Sequence, residues 1–225
     1  HASTSIRRNA FARLEYAPSA KLAAYVGGHA FSDNRDLGTN VTQTNRKSTA
    51  MDAGIDYGTG ATGLVSFRVW DSEQREDQFT SAVSTVAGVA RAAEAPNAGL
   101  HIPSHDWGGG LQWSRLNILG LESFTVGGDF RHLNGFTGEI DYSTTTGAQT
   151  AYLFSGGDQV LSGAFVQGII APWSRLRAEL GARFDHWGNN NGIATVQTGP
   201  AAPTTTEFEN RGRVAFSPRI GLRLL

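Results

Sequence analysis

Between Leu176 and His186 every second residue is apolar: Leu176, Ala178, Leu180, Ala182 and Phe184 alternate with Arg177, Glu179, Gly181, Arg183 and Asp185. A period of two over this length is a β-strand with one greasy face and one charged face. It matches the roughly 9–11 residues a tilted strand needs to cross a bilayer, whereas strands of soluble sheets run nearer ~5–6 residues. The same patterning predicts nine strands, at Ile6–Tyr16, Lys21–Phe31, Lys47–Tyr57, Leu64–Trp70, Trp107–Trp113, Ser123–Leu133, Val160–Ala171, Arg175–Trp187 and Arg213–Leu224. The first eight fall into hairpins closed by short turns at Ala17–Ala20, Gly58–Gly63, near Arg115–Leu121, and at Pro172–Ser174. Between the hairpins, Ser32–Arg46, Asp71–Asp106, Asn134–Gln159 and Gly188–Gly212 are rich in Asn, Asp, Thr, Gly, Ser and Pro, a loop composition. Within them Ala82–Ala95 lacks clean alternation and fits either a short helix or an extension of the fourth strand.

Short turns on one side and long loops on the other describe an all-β, antiparallel, up-and-down transmembrane β-barrel. Tyr16, Tyr57, Trp113 and Trp173 each stand at or beside a short turn, where an interfacial aromatic girdle is expected. Trp70, Trp107 and Trp187 are expected at the opposite rim. An odd strand count cannot close an antiparallel ring, because strands one and nine run the same way. The expectation is therefore a single curved, open domain over residues 1–225, part of a larger barrel, with Ile6–Tyr16 and Arg213–Leu224 as free edges.

The polar parity of the strands selects the residues expected to face the lumen. They are Arg13, Glu15, Asp52, Asp56, Asp129, Arg131, Arg177, Glu179, Arg183, Asp185, Arg219 and Arg223, with Lys21 beside them. Cross-strand ion pairs, together with water or an enclosed domain, are expected to satisfy these charges.

Composition narrows the alternatives. The 20 acidic and 19 basic side chains nearly cancel, so nothing favours nucleic acid as a partner. Cysteine is absent, which excludes a disulfide framework, a thiolate metal site and a cysteine nucleophile. No stretch approaches the ~18 apolar residues of a membrane helix. Gly58–Gly63 spells GxGxxG, but Leu64–Trp70 after it is strand chemistry, and a dinucleotide site needs a helix there. His101 and His105 have metal spacing only on a helix, which Pro103 between them opposes. Asp33-Asn34-Arg35-Asp36 lacks calcium-loop spacing, and no nucleophile elbow is present. No catalytic, cofactor or metal residue is assigned, and the chain does not read as an enzyme.

Three segments carry a resemblance. Phe216-Ser217-Pro218-Arg219-Ile220-Gly221-Leu222-Arg223 resembles a recurrent mid-barrel strand of TonB-dependent outer-membrane receptors. Phe165-Val166-Gln167 through Trp173, followed by Leu176–Asp185, is similar to the hairpin that precedes it in that family. Ile102–Asp106 and Leu111–Arg115 echo a further family pattern upstream, in the same order. The resemblance implies a parent in the outer membrane of a Gram-negative bacterium, with 22 strands around a plug domain. It implies import of a scarce ligand, most often a ferric siderophore, with cobalamin or oligosaccharide in some members, coupled to the inner-membrane TonB complex. No TonB box, plug or aromatic-ended final strand is recognised within these residues, so the segment is expected to act within a longer chain. The alternatives are a smaller passive pore or structural barrel, and a secreted soluble β-sandwich acting as a binding module.

Overall fold

The computed structural model describes residues 3–59, 62–86 and 89–224. They form ten strands: β1 (Thr4–Ser19), β2 (Leu22–Asp36), β3 (Gln43–Thr59), β4 (Gly63–Val86), β5 (Val89–Ile118), β6 (Leu121–Tyr142), β7 (Gln149–Trp173), β8 (Leu176–Thr198), β9 (Thr204–Phe208) and β10 (Arg211–Leu224). All pairings are antiparallel. The sheet runs β1-β2-β3-β4-β5-β6-β7-β8-β10, with β9 paired onto the outer end of β8, and it does not close. No helix among the described residues is long and apolar enough to cross a membrane.

All nine expected strands are present, and the segments expected as loops are for the most part continuations of them. The described part of Asp71–Asp106 is the upper half of the β4–β5 hairpin, and within Ala82–Ala95 residues 82–86 and 89–95 belong to its two strands rather than to a helix, residues 87 and 88 lying outside the described residues. Asn134–Gln159 and Gly188–Gly212 likewise extend β6, β7 and β8, and the second also contains β9. The reason is physical. Alternation marks the stretch where one face meets hydrocarbon, whereas the ladder needs only backbone N–H and C=O groups. Beyond the apolar stretch both faces carry polar side chains, so the pattern fades while the pairing continues. The first turn is also displaced: β1 runs to Ser19, into the expected Ala17–Ala20 turn, which falls instead at Ala20 and Lys21, so Lys21 sits in the turn rather than in a strand.

This single layer has almost no core. Ala98 and Ala178 are the buried apolar side chains among the described residues, and no large side chain is fully buried. The accessible surface is 14807 Å², against roughly 9,900 Å² for a compact globular protein of this mass. A soluble sandwich hides one face of each sheet against the other, and here there is no second sheet. That removes the sandwich alternative.

Candidate functional site

The register sorts the side chains into two faces, because directly opposed residues point to the same side of a sheet. One row reads Arg13, Gly27, Asp52, Trp70, Gly108, Arg131, Leu161, Trp187 and Arg213 from β1 to β10. The neighbouring row on the other face reads Tyr16, Ala24, Ile55, Phe67, Leu111, Gly128, Ala164, Phe184 and Phe216. The twelve charged positions singled out from parity fall on the first face, and Leu176, Ala178, Leu180, Ala182 and Phe184 on the second.

The charged face is held by ion pairs that cross strands. Arg183 of β8 reaches over β7 to grip Asp129 of β6 with two hydrogen bonds, of 2.8 and 2.9 Å, and binds Asp185 at 2.6 Å. Gly163 on the intervening strand makes room for it, since a Cβ there would collide with the guanidinium. Arg131 holds Asp106 bidentately at 2.8 Å, and Arg68 holds Asp56 at 2.7 and 2.8 Å. The two-nitrogen forks of Arg183 on Asp129 and Arg131 on Asp106 fix geometry as well as charge, whereas Arg68 reaches both Asp56 oxygens from Nη2 alone. Arg13 binds Glu15 at 2.7 Å and stacks on the Tyr25 ring, 3.8 Å from its centroid, with Arg68 at 5.5 Å. Towards the long hairpins, Arg35 and Arg7 meet Asp33, and Arg46 meets Glu76 at 2.7 Å.

Near the short turns, Arg177 pairs with Glu122, and Arg219 lies 3.0 Å from Glu179. The second contact lacks hydrogen-bond geometry, so among the described residues Glu179 Oε1 has no hydrogen-bond partner, and Arg177 Nη1 has none either. Arg177 and Glu179 also line a cavity of about 560 Å³, together with Glu122 and Arg223. Asp52 and Arg223 meet no opposite charge within ion-pair distance among the described residues. Parity missed Arg68, Asp106 and Glu122. Arg68 shares its parity with Ser66, which was the available signal, whereas Asp106 lay in a stretch read as loop.

Tyr16, Tyr57, Trp113 and Trp173 cluster at the short-turn end of the apolar face. Tyr57 opposes Leu22 and Val65, and Val65 opposes Trp113, whose indole N–H donates to the Thr62 carbonyl at 3.1 Å. Trp173 has the wrong parity in sequence, but an irregularity between Ile170 and Trp173 sets it opposite Leu176, on the apolar face. The opposite rim is corrected. Trp107 lies on the apolar face, opposed by Asp71 and His132, but Trp70 and Trp187 share the face of Asp52 and Arg131.

His101 and His105 stand on β5 rather than in a loop, on the apolar side but above the greasy stretch. His101 meets Asp77 at 2.6 Å and His105 meets Asp71 at 2.7 Å. Four residues apart on a strand they are about 13 Å from one another, too far to share a metal, and no metal-holding cluster occurs among the described residues. Gly58 and Gly63 frame a strand-to-strand turn, with Gly63 at φ +87°.

Farther out, β4 and β5 beyond Thr80 and Ala98 pair only with each other. Two side chains tie this ribbon to the β2–β3 loop, Ser81, whose hydroxyl meets that of Thr42 at 2.8 Å, and Glu94. Glu94 accepts the backbone N–H groups of Asn40 at 2.9 Å and Val41 at 3.0 Å. Hydrogen bonds from Ser81 and Thr39, then these amides, hold its carboxyl down at about 2, against an ordinary 4.5. A lowered carboxylate stabilises above the ordinary value, and that contribution fades as pH falls from 4.5 towards 2. Glu94→Gln should speed amide exchange at Asn40 and Val41 at neutral pH, and acidifying the unsubstituted protein should lower the protection factors of the same two amides, taken against the intrinsic exchange rate at each pH. Unchanged exchange in the variant would show that the loop is held by something else.

The sequence as a whole matches the family described as TonB dependent receptor-like, beta-barrel, over residues 2–225. No curated protein matches it. Among solved structures it resembles the ferric citrate transporter FecA in its unliganded form, with a TM-score of 0.62 and 12% identity, over 98% of this chain and 34% of FecA. It also aligns with the translocator domain of autotransporter NalP from Neisseria meningitidis, at TM-score 0.37 and 11% identity, over 99% of this chain and 81% of that one. The chain thus spans about a third of FecA, and at this identity the likeness is one of fold. A family match over nearly every residue, on an open sheet with one charged and one apolar face, settles the assignment: the chain belongs to the TonB-dependent receptor β-barrel family.

Proposed function

We propose that these residues form part of the wall of an outer-membrane transporter that takes up a scarce ligand, a ferric siderophore first among the candidates, with energy delivered through TonB. The observation that carries this reading is the division of one sheet into an apolar face with an aromatic rim and a face of forked ion pairs. Only an environment with hydrocarbon on one side and polar matter on the other rewards both. The apolar face meets outer-membrane lipid, and the charged face lines the lumen. Arg177 Nη1 and Glu179 Oε1 at the short-turn end, which have ion-pair neighbours but no hydrogen-bond partner among the described residues, fit contact with a polar plug domain of the same parent chain, since buried polar atoms ordinarily find a partner. The two open edges, β1 and β10, fit continuation into further strands.

Neighbouring positions on β7 provide a test, because the chain contains no cysteine of its own. Gln167 lies on the charged face and Val166 on the apolar face. In the protein embedded in its membrane, a water-soluble maleimide should modify Gln167→Cys and spare Val166→Cys. The reverse pattern would turn the sheet inside out. Uptake of radioactive ferric siderophore by cells carrying the protein should stop on adding an uncoupler or deleting TonB. Passage of small solutes that persists under both treatments would favour the passive pore.

A further inference from the structure

The two free edges of the sheet differ in how their charges are satisfied. On β1 both arginines of the charged face are paired within the sheet, Arg7 with Asp33 at 3.4 Å and Arg13 with Glu15 at 2.7 Å. On β10 the same face carries Arg211, Arg213, Ala215, Ser217, Arg219, Gly221 and Arg223, four arginines and no carboxylate. Arg219 meets Glu179, whereas Arg211, Arg213 and Arg223 meet no carboxylate within ion-pair distance among the described residues. Exposure at an edge does not account for this, since Arg7 is 62% exposed and still paired.

The neighbours already present do not supply the missing charge. Arg211 opposes Asn189, Arg213 opposes Trp187, and Arg223 opposes Arg177, a like charge. Asp185 is engaged by Arg183, Glu179 by Arg219 and Glu122 by Arg177. Glu207 on β9 and Glu209, two residues before Arg211, also stand outside ion-pair distance of all three. Elsewhere on this face an arginine finds its acid on the adjacent strand. Arg68 opposes Gly54 and holds Asp56 two residues along, and Arg131 opposes Gly108 and holds Asp106, again two residues along. Opposed and diagonal side chains in such a ladder lie about 5–8 Å apart, within reach of a guanidinium. The free side of β10 lacks that adjacent strand, and its backbone groups need one in a membrane.

We infer that the strand pairing with the free edge of β10 in the parent barrel carries a carboxylate towards each end of its lumen face. One meets Arg213 and Arg211 towards the long hairpins. The other meets Arg223 near the short turns, where it also offsets the opposition of Arg223 and Arg177. Positions 213 and 223 stand about 33 Å apart along β10. In an antiparallel partner the acid facing Arg213 therefore lies about ten residues C-terminal to the one facing Arg223. The intervening positions of that strand continue the apolar face of Val214, Phe216, Ile220 and Leu222. The inference rests on the barrel reading above and adds to it the charge pattern of the neighbour β10 requires.

Carbodiimide coupling in outer membranes carrying the full-length protein tests it. The reagent joins a lysine amine to a touching carboxylate as an amide and carries the displaced oxygen away as a urea, so each lysine reports the acid it meets. Arg46→Lys, directly opposite Glu76, is the control and should link to it. Arg213→Lys and Arg223→Lys should each give a linked tryptic peptide absent from the wild type. Both acids should fall on one strand outside these 225 residues, about ten positions apart in the order stated. With the control linked, failure of either position to link, or links to a plug segment or to Glu122, Glu179 or Glu209, would overturn this proposal alone. A link from either position to Glu15 of β1 would close the sheet on itself as a small pore and overturn the transporter reading as well.

Discussion

Leu180→Arg lowers the folding free energy in lipid by about 2–4 kcal/mol, the cost of a cation on the lipid face near the bilayer midplane of a barrel. Leu180 is on β8, directly opposed by Gly168 of β7 and Ile220 of β10, and half of its surface is exposed on the apolar face. Glycine on one side offers no partner for a guanidinium, and isoleucine on the other offers only hydrocarbon. Gln167→Arg is the control. It places the same charge on the opposite face of the adjoining strand and should cost well under ~1 kcal/mol, as polar surface changes do. Denaturant titration of the protein in lipid vesicles measures both. Equal losses, or no loss at Leu180, would remove hydrocarbon from the apolar face.

The second large effect is steric. Gly108→Val should destabilise by about 3 kcal/mol, the upper part of the range for overpacking. Gly108 lies between Trp70 of β4 and Arg131 of β6 in the central charged row. A Cβ there would come within 2.5 Å of the Trp70 ring and would collide with the backbone carbonyl of Phe130. The ring could swing aside, but the carbonyl belongs to the ladder and cannot. Gly110→Ala, two residues along the same face, meets nothing nearer than 3.5 Å and should be close to neutral. The temperature at which each variant loses its folded, heat-resistant gel mobility gives the comparison. A Gly108→Val protein as stable as Gly110→Ala would mean that β5 and β6 are spaced more widely than the register implies.

The contrast between these sites explains what could be read from the residues alone. Hydrocarbon on one side writes itself into a strand as strict alternation, so the membrane-crossing part of all nine long strands, and the face shared by Arg13, Asp52, Arg131 and Arg183, were legible. Pairing of backbone with backbone leaves no such trace, which is why the outer halves of β4 and β5 looked like loop. Trp70 and Trp187 share parity with Arg68 and Asp185, so their place on the charged face was available in the pattern and was obscured by the expectation of a second aromatic rim. Trp173 was placed by its turn rather than by parity, because its face depends on an irregularity in register. The partners of individual charges, such as Arg183 with Asp129 across an intervening strand, depend on register as well, and no local pattern encodes that.

The ribbon above Thr80 is a lever. Its register slips between Thr80 and Ser81, at the point where β4 loses β3 as a neighbour, and from there it continues as two strands to Val86 and Val89. Six residues of strand make an arm of roughly 20 Å, so a pivot of about 20° at the slip carries the tip through about 7 Å. The Glu94 carboxylate grips the β2–β3 loop partway along that arm. A contact between two neighbouring hairpins therefore sets the sweep of the outermost point of the sheet, and a change of one hydrogen-bonding group near the fulcrum is amplified into a displacement on the scale of a small ligand.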